Sequence, residues 1–429
     1  MIGVLLRGNA NFRWLWFGQS VSQLGDWFNS VALYALLFSL TGSATAVAWM
    51  MVVQLLPVAI VGPWAGVIVD RYDRRKIMIA ADLVRAVAVL GPLFVHSADM
   101  VWLAYVCTAI AVSASGFFEP ARSATIPAIV PRPHLVAANA VSTATWSAML
   151  AIGAAAGGGV AAAFGRDIAF LINSASFVVS AVFIRQIHMP RDGATTGSGG
   201  WQGVMDGVRY MRTHGDVAWI ALVKGGWAIA GGALLLLTVF GDRVFSTPGQ
   251  GDAGIGLLFG ARGIGAVTGS IIVTTLANRS RAPVARSERP RRCLVKTLPN
   301  TSEVFRLTPW IGPSYVAAGV CYATLSVAPS IWVAAAGVIA AHTFGSILWV
   351  SSNVLLQVHV PAEFRGRVFA AELMAIAIVQ SAISAMTAYA LDDLHASPRL
   401  LIALVGAAFC VPAGVWYLVA RRVVMPERA

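Results

Sequence analysis

Apolar residues come in long runs along this chain, each ended by a short polar cluster. A helix that crosses a bilayer needs roughly 20 predominantly apolar residues. Twelve runs meet that length approximately: 15–40, 45–69, 77–95, 100–118, 136–164, 168–187, 217–240, 253–277, 310–327, 331–358, 368–391 and 400–419. The pattern predicts an all-α membrane protein with twelve transmembrane helices in two six-helix bundles. The ninth run is the weakest, because it carries Pro313, Ser314, Thr324 and Ser326; without it the count is eleven.

Two hydrophilic stretches break the rhythm. The first, 188–216, passes through a Gly/Ser/Thr-rich segment at 193–200, read as flexible, and then Trp201–Arg212, where Val204, Val208 and Met211 have helical spacing. That segment is expected to lie on the membrane surface. The stretch divides the chain into an N-terminal bundle (1–187), a cytoplasmic middle loop (188–216) and a C-terminal bundle (217–429). The second stretch, 278–309, is basic and holds Pro283, Pro290 and Pro299, which predicts a disordered cytoplasmic loop. A faint echo links the halves: Ile129-Val130-Pro131 precedes Ala138-Asn139-Ala140 much as His359-Val360-Pro361 precedes Phe369-Ala370. Parallel six-helix repeats are a transporter design.

Composition agrees with the pattern. The chain has 429 residues, 58% apolar and 12% charged, with mean hydropathy +0.73. A soluble protein has about 25% charged residues. The net charge of +12 could suggest nucleic acid, but its distribution gives a topological reading instead. With the N-terminus inside, Arg and Lys fall on the cytoplasmic side except for Arg166, Arg243 and Arg399 outside, and Arg85, Lys224 and Arg262 within helices. That bias places both termini in the cytoplasm. Arg7 and Arg13 precede a first run that is longer than a signal-peptide core, so an uncleaved first helix is expected. The cysteines (Cys107, Cys293, Cys321, Cys410) form no Cys-x-x-Cys, so no disulfide framework or zinc site is indicated. No Walker sequence is present, so ATP is not the direct energy source. No hydrolytic or redox constellation, catalytic residue, metal or cofactor is expected.

Ionisable groups inside helices are the best functional pointers, since each costs about 2.5–3.5 kcal/mol at the bilayer centre on insertion scales. Asp26 sits mid-way along the first run. Gln19, Ser22, Gln23 and Asn29 lie about one or two turns from it, so together they form a polar stripe facing a cavity. Its carboxylate could bind a proton or a cationic group, or be held permanently by a cationic partner. Asp82 and Arg85, spaced i, i+3, can pair on one face as a structural or gating unit. Glu119 and Arg122 are spaced likewise and can join a cytoplasmic charge network around Asp70, as can Glu372. Lys224 and Arg262 lack an evident local partner; either could take an anionic group or snorkel to an interface. His342 could carry a proton or be a packed, hydrogen-bonded histidine. In the fifth run, Gly153, Gly157 and Gly158 allow close helix packing.

The turn at Gly66–Lys76 carries Asp70, Arg71, Arg74, Arg75 and Lys76. It resembles the loop between helices two and three of the major facilitator superfamily, Gly-x-x-x-Asp-Arg-x-Gly-Arg-Arg-Lys, with Asp73 where that pattern usually has Gly. Gly66 is expected to let another helix approach. The 153–159 segment is similar to the Gly-Pro-x-x-Gly-Gly core associated with antiporters, with Ala154 in place of the Pro and Met149 in place of an earlier Gly. Asn11–Trp16, Gly18-Gln19, Gly25-Asp26, Asp82–Ala86, Phe117–Ala121, Ala138–Ala140 and Arg365–Phe369 add to the set. Together they resemble the branch with macrolide-efflux and enterobactin-exporter proteins. The resemblance implies a proton-coupled exporter of small molecules, of drug, macrolide or siderophore class, in a bacterial cell membrane. Its partners would be a small-molecule substrate, protons and lipid, without nucleic acid, and a monomer is expected. An importer or uniporter on the same fold is the alternative, and a non-transporting membrane receptor a more distant one.

Overall fold

The computed structural model describes residues 6–131, 134–189, 200–245, 251–278 and 301–424; a few side chains within helices, Asp70 among them, lie outside the description. So do 190–199 and 279–300, where the flexible linker and most of the basic loop were expected. The described chain is all-helical.

Helix α1 (Ala10–Thr41) begins where the Asn9 side chain accepts the Phe12 N–H. It ends at Gly42, whose φ of 62° lies in the left-handed region that glycine tolerates. Ser43 then caps α2 (Ala44–Val53), which gives way to α3 (Leu56–Arg71) across Gln54 and Leu55. Pro57 causes that break, since it has no N–H to offer the carbonyl four residues back. After α4 (Arg74–Ala88), α5 (Val101–Ile129) runs well past the predicted end at 118, through Pro120 and Pro127, and takes Glu119 and Arg122 inside the helix. Next come α6 (Leu135–Phe164), α7 (Arg166–Arg185) and α8 (Trp201–Thr213). The seventh run becomes two helices, α9 (Gly215–Trp227) and α10 (Ala230–Val239), followed by a π-type turn at Phe240–Val244. Then follow α11 (Gly251–Asn278), α12 (Thr301–Thr324), α13 (Ile331–His359) and α14 (Ala362–Asp392). Last are α15 (Pro398–Ala408) and α16 (Cys410–Val424).

Among the described residues, ten helical segments are long and apolar enough to cross a membrane. Two of the twelve predicted runs, on α1 and α12, are absent from that set. Both are long enough, but Gln, Asn, Asp and Ser on α1, and Thr, Ser and Pro on α12, dilute their apolar residues. The α8 segment is helical as expected. It does not merely lie at a surface: Gly203, Val204 and Gly207 are buried, and Gly207 sits on the backbone of Arg367 in α14.

Large apolar side chains cover much of the outside, including Trp49, Trp64, Trp102, Trp332 and Tyr417. Polar residues are drawn inward, the inverse of a soluble protein and the arrangement that lipid demands. Inside, α6 lies between α1 and α11. Gly153 packs on Leu24 and Trp27, and Gly157 on Phe28. Gly158 faces α11, where a Cβ would lie 2.7 Å from the Gly256 Cα, and a Cβ on Gly256 would meet the Gly158 Cα at the same distance. The small-residue segment is therefore a close crossing of three helices. Gly66 is not such a point: a Cβ there would meet nothing within 4 Å, because α3 turns that face to open space.

Gly256→Val should force α6 and α11 apart at a cost of about 1–3 kcal/mol. The expected result is a lowered Tm for the purified protein, with Gly66→Ala unchanged in the same assay.

Candidate functional site

The ionisable residues of the sequence stripes meet across helices. Arg85 of α4 donates through Nη2 to Asp26 Oδ2 at 2.7 Å and through Nη1 to Asp82 Oδ1 at 3.3 Å. The i, i+3 pair on α4 thus exists, and the partner of Asp26 is the same guanidinium. Asp82 is fully buried and Arg85 nearly so, whereas the Asp26 side chain is 43% exposed. Arg85 also lies 3.9 Å from the ring centroid of Phe177 and 5.6 Å from that of Phe118, and such aromatic faces stabilise a desolvated cation. Two carboxylates share one cation, so the cluster carries one negative charge in excess when both are ionised.

Asp26 opens into a cavity of about 320 Å³. From α1 it also receives Asn29 and Tyr34; from the break between α2 and α3, Gln54; from α11, Arg262; from α14, Gln380. The Tyr34 hydroxyl donates to Gln54 Oε1, so the proline-induced break presents a side chain that a continuous helix would aim elsewhere. Asn29 Oδ1 is buried without a hydrogen-bond partner. Arg262 lies over the Trp27 ring, 5.7 Å from its centroid, and makes no ion pair or hydrogen bond within the described residues.

The other expected residues are placed differently. Lys224 is not a free cation: its Nζ donates to Glu372 Oε2 at 2.6 Å, and both side chains are buried away from the cavity. Glu372 therefore sits in this pair, while the Asp70 side chain, around which its charge network was expected, lies outside the described residues. Glu119 and Arg122 bond at 2.8 Å, and Arg122 reaches Gln19 Oε1 at 3.3 Å, which places Gln19 in that charge group and outside the cavity. Gln23 also does not line the cavity, and its Oε1 is unbonded. His342 is a packed histidine, with Nε2 2.9 Å from the Tyr322 hydroxyl and Trp227 edge-on to its ring.

In the 70–76 turn, Arg74 donates to the carbonyl of Ala124, and Arg75 to those of Arg185 and Ile187. Asp73 caps α4 by accepting the Arg75 and Lys76 N–H groups, work that Gly could not do. Arg71 and Lys76 are exposed. The Asp70 side chain lies outside the described residues.

The opposite end is closed by contacts that sequence reasoning missed. The Asp392 carboxylate, at the end of α14, accepts from Ser43 Oγ at 2.6 Å and from the N–H groups of Ala44 and Thr45 at 3.1 and 2.7 Å. It thereby caps α2, and a carboxylate at a helix N-terminus is favoured. Arg166 pairs with Asp252 at 3.1 Å and donates to Ser39 Oγ, and Arg243 donates to the Gly42 carbonyl. The only available signal was that these residues flank the ends of predicted helices.

Removing one member of a buried ion pair costs about 3–5 kcal/mol, since the other charge is left uncompensated. Lys224→Met should therefore lower the Tm sharply. Lys224→Met combined with Glu372→Leu should recover most of the loss, as thermal unfolding of the purified protein would show.

The chain is 32% identical over 189 residues to the MFS-type transporter YfiS of Bacillus subtilis, a stretch covering 44% of each protein. It is 29% identical to macrolide efflux protein A of Streptococcus pyogenes, over 42% of this chain and 45% of that one, and 28% identical to the bacilysin exporter BacE of Bacillus subtilis, described as putative, over 42% and 44%. The matched stretch spans less than half the length of each of these relatives. In three dimensions the chain superposes on a POT family transporter, solved with 5-aminolevulinic acid, with TM-score 0.72 at 11% identity over 97% of both chains. The model of the Major Facilitator Superfamily matches residues 15–383. With an all-helical fold and apolar spans alongside that match, the chain belongs to the Major Facilitator Superfamily.

Proposed function

We propose that the protein exports a small molecule by alternating access, driven by the proton gradient across a bacterial cell membrane. The observation that carries this reading is the Asp26–Arg85–Asp82 cluster, of which Asp26 and Arg85 line the cavity and Asp82 is buried behind them. Two carboxylates facing one guanidinium in a poorly solvated site leave a negative charge that one proton, or one cationic group of a substrate, can neutralise. Asp26, at the cavity edge, is where the two compete. Binding one releases the other, which is the exchange that an antiporter needs. Exporters among the relatives support the direction. One proton moving inward supplies about 2.3 kcal/mol per 100 mV, enough to accumulate substrate modestly per turnover.

In this reading, twelve helices form two six-helix bundles, 1–187 and 217–429, joined by a cytoplasmic middle loop. Both termini and the 70–76 turn face the cytoplasm, and the protein acts as a monomer. The Asp392, Arg166 and Arg243 contacts close the outer end, and the cavity is filled from the inner side. Glu119 and Arg122, with the cations of the 70–76 turn, serve the inner closure. Lys224–Glu372 steadies the second bundle and takes no part in coupling.

In proteoliposomes with an imposed pH gradient, Asp26→Asn should insert normally and lose proton-driven extrusion almost completely. Full activity in that variant would remove Asp26 from the mechanism, and solute movement indifferent to the gradient would make the protein a uniporter or importer. Asp392→Ala should loosen the outer closure. An impermeant maleimide added from outside should then label a cysteine at Asn29 several-fold faster than it does with Asp392 intact.

A further inference from the structure

The cavity has two unlike walls. On the α1 and α4 side, Asp26 and Arg85 line the cavity and Asp82 is buried behind Arg85, so two carboxylates answer one guanidinium. On the α11 side stands Arg262, with no carboxylate in ion-pair range among the described residues; the Trp27 face lies beside it, and Tyr34, Tyr322 and His342 are within electrostatic reach. Between them, Asn29 is only 9% exposed, with its Oδ1 turned to no partner, and Tyr34, Gln54 and Gln380 complete a polar lining. The other charged pair held deep among the helices, Lys224–Glu372, is matched one to one. Among the described pairs deep in the helices, the imbalance falls at the cavity, where it is split into a negative side and a positive side.

This arrangement discriminates among ligands. A neutral molecule would leave both walls uncompensated once it displaced water from the site, where an unanswered charge is costly. A cation would satisfy Asp26 and meet Arg262 as a like charge; an anion would do the reverse. A molecule with an ammonium at one end and a carboxylate at the other answers both walls. It can also use the forked guanidinium of Arg262 for two parallel hydrogen bonds. The volume of about 320 Å³ stands at the lower end of the range for small-molecule sites.

We propose that the transported molecule is a small zwitterion of amino-acid or dipeptide size, its ammonium held at Asp26 and its carboxylate at Arg262. The inference rests on the reading of this cavity as the substrate site, and it deepens that reading by naming a substrate class. The ammonium is the group that competes with the proton at Asp26. Arg262 does not exchange; it selects.

The test uses the full chain in nanodiscs and the fluorescence of its tryptophans, Trp27 being at the site. Phenylalanyl-alanine, its N-acetyl derivative and its C-terminal amide are titrated in turn. The free dipeptide should bind at least ~10-fold more tightly than either blocked form, about 1.4 kcal/mol. In Arg262→Gln the free dipeptide and the amide should bind alike, and Arg262→Lys should restore much of the difference. In Asp26→Asn the free dipeptide and the N-acetyl form should bind alike. Equal binding of all three probes to the unmodified protein, no binding of any, or an acid preference that survives Arg262→Gln overturns the proposal. The export reading fails separately. Selective dipeptide binding without proton-driven extrusion would leave the two-walled site standing and remove the exporter. Proton-driven extrusion of ethidium, unaffected by Arg262→Gln and without dipeptide selectivity, would do the opposite.

Discussion

The interior of this protein is governed by the cost of an unanswered charge where water is scarce. Lys224 and Glu372 meet that cost by direct contact, with the rings of Trp349 and Phe369 near the ammonium. Asp82 meets it with a guanidinium one turn along its own helix. Asp26 borrows the same guanidinium from another helix, and by doing so leaves the cluster short of a cation. Arg262 has an aromatic face and the nearby Tyr34 and Tyr322, but no carboxylate in ion-pair range among the described residues. The described buried groups are thus neutralised where they serve structure and left unbalanced where they face the cavity. Imbalance in such a place lowers stability, and in the reading proposed above it is what lets the cavity take up charge.

Backbone geometry decides where that opening lies. Prolines interrupt the α2–α3 run, and the break sets Gln54 against Tyr34 at the cavity edge. Glycines have the contrary effect at the crossing of α1, α6 and α11, where no side chain intervenes and the backbones touch. That crossing joins the segments before and after the middle stretch. It lies near the end that Arg166, Asp252 and Asp392 also close.

The apolar runs were legible because a bilayer imposes a length and a composition on anything that crosses it. The small-residue segment at 153–159 was legible for a similar reason, since Gly at helical spacing removes steric bulk from one face. The Asp82–Arg85 pair followed from helical periodicity alone. The partner of Asp26 could not be read, because 59 residues separate it from Arg85, nor could that of Lys224, 148 residues from Glu372. Gly66 misled: a glycine permits close approach without requiring it, and α3 turns that position to open space. The polar content of α1 was read as a cavity-facing stripe, yet only part of it lines the cavity. Gln19 turns to Arg122 instead.

What the sequence by itself determined is the class of molecule: apolar runs for lipid, cations biased toward one set of turns, and a few ionisable residues too costly to keep inside a bilayer without use. These follow from local chemistry, since hydropathy and helical period are properties of neighbours along the chain. Only the tertiary structure decided which ionisable residues neutralise one another, which one stays bare, and which surfaces enclose the cavity. Those outcomes depend on distances between helices far apart in sequence. Electrostatic energy in a low-dielectric interior varies steeply with such distances and not with order along the chain.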